Sequence, residues 1–159
     1  MKQSGKIALV TLAVVAAVAL IMRFVVTPYI VYGDSMLPTL HSWELCVMAR
    51  TQRYEPNRRD IVMFRTADAP VLHFVKRVVA LPGETVAIER GVVTINEKPL
   101  DEPYTTRNVD WDMPSTVVPA GKVFVLGDNR DVALDATVHG VVATRLVEAR
   151  LLWHWRWRQ

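Results

Sequence analysis

The stretch that decides the fold is VLHFVKRVVALPGETVAIERGVVTIN, residues 71–96. It holds three runs rich in β-branched and aromatic residues, at 71–80, 85–89 and 92–95. Leu81-Pro82-Gly83 separates the first two runs and Arg90-Gly91 the last two, and such residues end one strand and allow the next. The pattern predicts consecutive antiparallel strands with a tight hairpin at Arg90-Gly91.

Similar short runs occur on both sides of this stretch, with turn-forming residues between them. They lie at residues 29–32, 45–49, 61–64, 117–118, 123–126 and 141–151. Only the N-terminus has a convincing helical pattern, so we predict a mainly β fold, an antiparallel sheet or barrel, for residues 27–159.

The N-terminal segment is apolar enough to cross a membrane. Residues 7–22, IALVTLAVVAAVALIM, are uncharged, residues 24–26 continue the run, and about 20 helical residues span about 30 Å. A cleaved signal peptide is the alternative, because Ala17-Val18-Ala19 has the small-x-small form. We favour an uncleaved anchor, since apolar sequence continues beyond those alanines.

The distribution of charged residues predicts how the chain is oriented in the membrane. Lys2 and Lys6 favour a cytoplasmic N-terminus. We therefore expect residues 1–26 to be a cytoplasmic tip and single-pass anchor in the plasma (inner) membrane, and residues 27–159 to be an extracytoplasmic domain. That second part carries 16 basic and 16 acidic residues, which leaves no net charge to attract nucleic acid.

Metal and thiol chemistry have little support in the sequence. The single cysteine, Cys46, lies in an apolar run and is typical of a small buried side chain. The four histidines are scattered rather than set at ligand spacing, and the acids at 128–135 lack the alternation of a calcium-binding loop. We predict no metal and no cofactor.

Lys76 is the most unusual residue of the strand at 71–80. With a period of two it shares a face with four apolar residues, which are Leu72, Phe74, Val78 and Ala80. Burial lowers a lysine pKa by about 3–5 units, which is enough to make Lys76 a base near neutral pH. A lysine that reaches solvent from an edge strand is the ordinary alternative.

Ser35 is the candidate nucleophile. It follows Gly33-Asp34 and precedes Met36-Leu37-Pro38, so glycine permits close approach of a substrate backbone and proline restricts the chain. Such a serine can present its own N–H group to an oxyanion. A plain Gly-Asp-Ser turn explains the same residues.

Four segments in order resemble those of the bacterial type I signal peptidases. They are GDSMLPTL at 33–40, RRDIVMF at 58–64, HFVKRVVALPGETV at 73–86 and GDNRDVALD at 127–135. The resemblance implies that Ser35 attacks the scissile carbonyl and that Lys76 takes its proton and returns it to the leaving amine. It also implies that the Ser35 N–H holds the oxyanion, that Gly33 stands where some relatives have a second hydroxyl donor, and that Asp128 pairs with Arg77.

The resemblance adds Asp34, Met36 and Asp135 as supporting residues. In the last segment Val132, Ala133, Ala136 and Thr137 stand where relatives usually have Asn, Ser, Ser and Arg. The serine absent at Ala133 normally orients the lysine, and the arginine absent at Thr137 normally pairs with Asp135. These departures imply lower activity or another means of orienting Lys76.

The substrates implied by the resemblance are preproteins that carry signal peptides, and the lipid bilayer is the other expected partner. A specialised member with one dedicated substrate, such as a conjugative pilin, is the nearest alternative, and a non-catalytic membrane-tethered binding module is another. Self-cleaving repressors use similar chemistry but need a DNA-binding region. A triad of Ser35 with His73 or His139 and an aspartate lacks a nucleophile elbow.

The C-terminus alternates tryptophans with cationic residues in LLWHWRWRQ, residues 151–159. A strand here would place Trp153, Trp155 and Trp157 on one face. Such a face either rests on the lipid surface or packs inward against the sheet, and the sequence leaves both open.

Overall fold

Beyond an N-terminal helix, the chain forms eleven β-strands in the part that the structure describes. The computed structural model describes residues 2–51, 53–67, 70–105, 111–131 and 139–156. The helix α1 covers Lys2–Phe24. The strands are β1 Val26–Ile30, β2 Leu45–Arg50, β3 Ile61–Arg65, β4 His73–Ala80, β5 Thr85–Glu89, β6 Val92–Ile95, β7 Lys98–Pro99, β8 Met113–Val117, β9 Lys122–Leu126, β10 Gly140–Ala143 and β11 Val147–Trp155.

The strands form two antiparallel sheets. The larger sheet has seven strands in the order β1-β2-β11-β3-β4-β9-β10, and the smaller has four in the order β7-β6-β5-β8. The predicted mainly β, antiparallel fold with one N-terminal apolar helix is therefore confirmed.

The predicted hairpin at residues 85–95 is also confirmed. Glu89 of β5 lies opposite Val92 of β6, which leaves a two-residue loop of Arg90 and Gly91. Both loop residues have positive φ, 48° and 77°, as a type I′ turn requires. Glycine adopts that conformation freely, and its position matches the turn that the sequence pattern predicted.

The prediction of one strand over residues 141–151 is wrong. Here β10 ends at Ala143, a 3₁₀-helix covers Thr144–Leu146, and β11 begins at Val147. The N–H and hydroxyl of Thr144 both donate to the carbonyl of Gly121, at 2.9 and 3.0 Å. The chain turns at this contact, so that β10 pairs with β9 while β11 pairs with β3 and β2.

Three other strands differ from the predicted bounds by two residues or more. The run at 29–32 corresponds to β1 at Val26–Ile30, because the register with β2 pairs Val26 with Ala49 and Ile30 with Leu45. The run at 117–118 is the end of β8, and β4 begins at residue 73 rather than 71. The two-residue strand β7 was not predicted, since a lysine and a proline carry no strand pattern.

Both faces of β4 are buried over most of the strand. Residues 75–80 are all buried. Val75 packs in the cluster beneath the β1–β2 loop, Val78 packs on the opposite face of the large sheet, and Val79 joins the cluster shared with the small sheet. A polar side chain at any of residues 75–80 is therefore surrounded by protein, whichever face it points to.

Helix α1 extends away from the sheets. Gly5–Phe24 is 20 residues long and apolar enough to cross a membrane, and none of it is buried against the rest of the chain. Such a helix is about 30 Å long, close to the thickness of the hydrocarbon layer. The chain passes from it directly into β1, where the Val25 carbonyl accepts a 2.9 Å hydrogen bond from the Arg50 N–H.

The tryptophans and the basic residues at the end of β11 make different contacts. Trp153 and Trp155 are 50% and 48% exposed, and their rings contact each other at 5.5 Å. His154 and Arg156 instead approach Glu44, so the two tryptophans do not pack inward against the sheet. Trp157 lies outside the described residues.

Candidate active site

Ser35 lies in the loop that joins β1 to β2. Met36 and Leu40 are 1% and 0% exposed and pack into the core beneath this loop. On the other side of Ser35, Gly33 has φ 95° and its N–H donates to the Ser42 hydroxyl at 3.1 Å. The loop is thus held by buried apolar side chains after Ser35 and by a hydrogen bond before it, with Ser35 itself only partly buried.

Lys76 lies on β4, with only 2% of its surface exposed. Burial lowers the pKa of its amine from 10.5 to about 8, while the negative charge of Asp128 acts in the opposite direction. Removal from water disfavours the protonated form of an amine, which is the physical basis of this change. The interpretation of Lys76 as a solvent-exposed edge lysine does not fit this position between β3 and β9.

Ser35 and Lys76 line one cavity of about 60 Å³. Gly127 lies beside both residues. A Cβ placed on Gly127 would lie 2.3 Å from the Ser35 carbonyl oxygen and 3.5 Å from Lys76 Nζ. The backbone carbonyl oxygen of Ser35 and the lysine amine therefore both lie next to Gly127. Any side chain at Gly127 would collide with the Ser35 backbone, which explains the glycine there.

Asn129 connects the turn at residues 127–129 to the serine loop, which is the loop between β1 and β2 that contains Ser35. Its N–H donates to the Ser35 carbonyl at 3.1 Å, and its Nδ2 donates to the Asp34 carbonyl at 2.9 Å. The Asp34 carbonyl also accepts the Leu37 N–H at 3.1 Å. Asp34 thus contributes its backbone to the loop, while its side chain is exposed.

Arg77, the neighbour of Lys76, forms a buried ion pair with Asp128. Its Nε and Nη2 donate to the two carboxylate oxygens at 2.8 and 2.6 Å, and Asp128 is completely buried. Thr39 donates its hydroxyl to Asp128 Oδ2 at 2.5 Å, and the Arg77 guanidinium lies 4.0 Å from the centre of the Tyr104 ring. The pair connects β4 both to the 127–129 turn and to the serine loop.

A second buried ion pair supports the same turn. Arg130 is 2% exposed, and its Nη2 lies 2.5 Å from Glu102 Oε1. Its Nε donates to the Gly127 carbonyl at 2.9 Å. Arg130 therefore holds the Gly127 backbone, which lies next to Ser35 and Lys76.

A third cluster binds the end of β11 to the serine loop. The Arg156 guanidinium donates to Glu44 at 2.8 Å and to the Pro38 carbonyl at 3.0 Å. Glu44 is 2% exposed and also accepts the His41 N–H at 3.0 Å. Burial raises the pKa of Glu44, but these hydrogen bonds and the charges of Arg156 and His154 outweigh it and hold that pKa below its usual value.

The other candidate residues lie elsewhere or make other contacts. Cys46 is fully buried, and burial raises the pKa of its thiol to about 11. His73 lines the Ser35 cavity, but its Nε2 lies 3.1 Å from Glu148, so the acid beside it is a glutamate rather than the aspartate of the triad alternative. Asp135 and the departures at 132, 133, 136 and 137 lie outside the described residues.

Comparison with known proteins assigns the family. The model of the family described as "Signal peptidase, peptidase S26" matches residues 4–157. The chain belongs to the signal peptidase family, peptidase S26. The family recognised from the four sequence segments is therefore confirmed, and the chain is a serine peptidase of that family.

Individual signal peptidases are similar over most of the chain. Signal peptidase I S of Bacillus subtilis is 39% identical over 140 residues, which are 80% of this chain and 74% of the relative. A probable signal peptidase I-1 of Synechocystis is 33% identical over 93% of this chain and 83% of its own length. The crystal structure of a signal peptidase I from Enterococcus faecalis V583 superposes with a TM-score of 0.51 at 31% identity, covering 62% of this chain and 98% of the other.

Several residues that build the site were not singled out from the sequence. Thr39, Gly127 and Asn129 lie inside the quoted family segments, but no pattern within those segments indicated their individual contacts. Glu44 and Arg156 are 112 positions apart, and nothing local to either residue predicts that they meet.

Proposed function

We propose that this signal peptidase is a membrane-anchored serine endopeptidase in which Ser35 is the nucleophile and Lys76 the general base. The observation that carries the proposal is a buried lysine, with a pKa of about 8, that lines the same small cavity as Ser35. At pH 7 about a tenth of such amines are neutral, against about one in 3,000 at a pKa of 10.5. Burial thus raises the supply of the basic form by about 300-fold.

The reaction follows from this arrangement. Neutral Lys76 accepts the Ser35 hydroxyl proton as the oxygen attacks the substrate carbonyl, and the oxyanion accepts a hydrogen bond from the Ser35 N–H. The lysine then gives its proton to the leaving amine, which leaves an ester on Ser35. Lys76 then accepts a proton from a water molecule as that water attacks the ester, and it returns the proton to the Ser35 oxygen as the new carboxyl group is released.

Each remaining site residue has a supporting role in this proposal. Asp128 and Arg77 hold β4 against the 127–129 turn, and Gly33, Asp34 and Met36 set the backbone on either side of the nucleophile. Asp135 keeps the supporting role that the family resemblance implies. The chemistry requires no metal, because serine and lysine supply both the nucleophile and the base.

The substrates we propose are preproteins, cut where an extended signal peptide meets the mature protein. The cavity beside Ser35 measures only about 60 Å³ and is lined in part by Val31, Met36 and Phe74. A small apolar side chain next to the scissile bond fits such a space, whereas a large or charged one does not. The extended substrate would bind by adding a strand beside the catalytic residues.

The membrane topology is part of the proposal. Residues 1–26 form a cytoplasmic tip and a single transmembrane helix, and residues 27–159 form the peptidase domain outside the cytoplasm. Lys2 and Lys6 support a cytoplasmic N-terminus. Trp153 and Trp155 are half-exposed and suit the interface between lipid and water, so they would rest the domain on the bilayer beside its anchor.

The test is cleavage of a preprotein by the full chain reconstituted in lipid vesicles. We expect Ser35→Ala and Lys76→Met each to lower kcat/KM by at least about 1,000-fold, since each removes a reacting group. Ser115→Ala and Lys98→Met are matched controls on exposed positions of the small sheet and are expected to cleave normally.

Comparable cleavage by Lys76→Met and the wild type would refute the role of the lysine. Cleavage of one dedicated substrate but no general preprotein would keep the chemistry and identify a specialised peptidase. Binding of preproteins without any cleavage by the wild type would instead support the tethered binding module.

A further inference from the structure

A second, larger cavity lies where helix α1 meets the seven-stranded sheet. It measures about 490 Å³, which is within the range of small-molecule sites. Four of the residues that line it are arginines, namely Arg23, Arg50, Arg65 and Arg145. None of them belongs to the Ser35 and Lys76 site, and the proposed peptidase reaction does not use them.

The fold itself brings these arginines together. Arg50 is the last residue of β2 and pairs with Ala149, while Arg65 ends β3 just after Phe64, which pairs with Val147. Both strands thus end beside the start of β11. Arg145 belongs to the 3₁₀-helix that precedes β11, and Arg23 lies at the end of α1. Four separate elements therefore contribute one guanidinium each.

The charges in this cavity are not balanced. Glu148 is the acidic residue among the described residues that line it. Its carboxylate is already 3.4 Å from Arg65 and 3.1 Å from His73. Arg23, Arg50 and Arg145 are exposed, so their guanidinium groups are accessible to a ligand. Residues 27–159, which include three of these arginines, have as many acids as bases overall, so this excess of positive charge is local.

The position of the cavity indicates which anion it meets. Arg23 is the next-to-last residue of the apolar helix Gly5–Phe24. If that helix crosses the bilayer, as proposed above, the guanidinium of Arg23 lies at the level of the lipid headgroups. A cluster of positive charges at that level attracts anionic headgroups, and a guanidinium binds phosphate oxygens with two parallel hydrogen bonds.

We propose that this arginine cavity binds the phosphate of an anionic phospholipid such as phosphatidylglycerol at the surface of the membrane. The lipid would neutralise arginines that otherwise repel one another. It would also hold the end of the anchor against β2 and β11, and so fix the height of the peptidase domain above the bilayer. This inference rests on the proposed anchoring of α1 but not on the roles of Ser35 and Lys76.

Lipid binding can be measured by native mass spectrometry of the detergent-solubilised full chain, titrated with phosphatidylglycerol or with phosphatidylcholine. We expect the wild type to bind one phosphatidylglycerol about tenfold more tightly than phosphatidylcholine. R50Q/R145Q should remove this preference, and R145Q alone should weaken it about threefold. R90Q/K98Q removes the same charge from exposed positions of the small sheet and should keep the full preference.

Three results would overturn the proposal. They are equal affinity of the wild type for the two lipids, unchanged preference in R50Q/R145Q, and equal loss in R50Q/R145Q and R90Q/K98Q. A further arm adds inorganic phosphate, and displacement of the lipid at similar concentration would show a general phosphate site instead. Preprotein cleavage is followed in parallel, because loss of lipid preference with normal cleavage tests this cavity separately from the active site.

Discussion

Burial has different consequences for the basic side chains on the two faces of strand β4. Lys76 and Arg77 are consecutive, 2% and 8% exposed, and point to opposite faces. The charge of Arg77 is balanced by Asp128, whose two carboxylate oxygens both accept hydrogen bonds from it. On the Lys76 face, burial lowers the amine pKa to about 8.

The difference follows from the chemistry of the two side chains. A guanidinium does not lose its proton in proteins, so a buried arginine requires a carboxylate partner. An amine releases its proton when it is removed from water, and it then becomes a base. The same strand therefore provides a structural ion pair on one face and a candidate catalytic base on the other.

The largest effect is expected on the arginine face. Arg77→Met leaves the buried Asp128 carboxylate without its main partner, which destabilises the fold by about 3–5 kcal/mol. Urea unfolding of the full chain in detergent micelles, followed by tryptophan fluorescence, measures this change. Arg59→Met is the matched control, because that side chain is half exposed and its loss is expected to change stability by less than about 1 kcal/mol.

The same substitution on the lysine face is expected to act in the opposite direction. The lowering of the Lys76 pKa from 10.5 to about 8 corresponds to about 3 kcal/mol of instability while the amine is protonated. Lys76→Met should therefore increase the free energy of unfolding at pH 7 by up to about 3 kcal/mol while cleavage is lost. If Lys76→Met and Arg77→Met destabilise the chain equally, the contrast between the faces is wrong.

The pH dependence of stability gives a finer test. Because the folded-state pKa is depressed, the folded chain binds fewer protons at Lys76 than the unfolded chain between about pH 8 and 10.5. The wild type should gain about 3 kcal/mol from this group as pH rises through that window, and Lys76→Met should lack this gain. Their difference in unfolding free energy, measured at several pH values, isolates the lysine contribution.

The pH dependence of cleavage should have the same origin. If neutral Lys76 is the base, kcat/KM rises about tenfold per pH unit below pH 8 and levels off near that value. A plateau that begins near pH 6 would indicate a different base. The profile requires the full chain and a short preprotein whose own groups do not titrate between pH 6 and 9.

The smallest effect is expected at the pair of Arg156 and Glu44, where the carboxylate is buried but the arginine is half exposed. Arg156→Gln removes the charge next to Glu44 but leaves the hydrogen bond from the His41 N–H. The loss should be about 1–2 kcal/mol of stability, because a buried carboxylate then keeps only part of its hydrogen bonding. Arg90→Gln, on the β5–β6 hairpin, is the control and should change stability by less than about 0.5 kcal/mol.

Several elements could be predicted because the information for them is local. Strands β5 and β6 and their Arg90-Gly91 turn depend on neighbouring residues, and their predicted bounds match the structure. The end of β10 could not be predicted in the same way. The apolar run continues through residues 141–151, and only the contact of Thr144 with Gly121 shows where the chain changes partner.

The candidate site likewise has residues that the sequence identifies and contacts that it does not predict. Ser35 and Lys76 could be selected from the residues and from the resemblance to signal peptidases, since each lies in a distinctive segment. The contacts of Asn129 with the serine loop and of Arg156 with Glu44 join residues that are 95 and 112 positions apart. No periodicity in a sequence encodes such distances.

By itself, the amino-acid sequence determined that an apolar helix precedes a β-rich domain and that a lysine lies among apolar residues of a strand. Both follow from the spacing of side chains along the chain. Only the tertiary structure decided that both faces of β4 are covered and that Gly127 lies against the Ser35 backbone and the Lys76 amine. Burial, and with it the lysine pKa, depends on which distant strands pack around a residue, and that is a property of the whole fold.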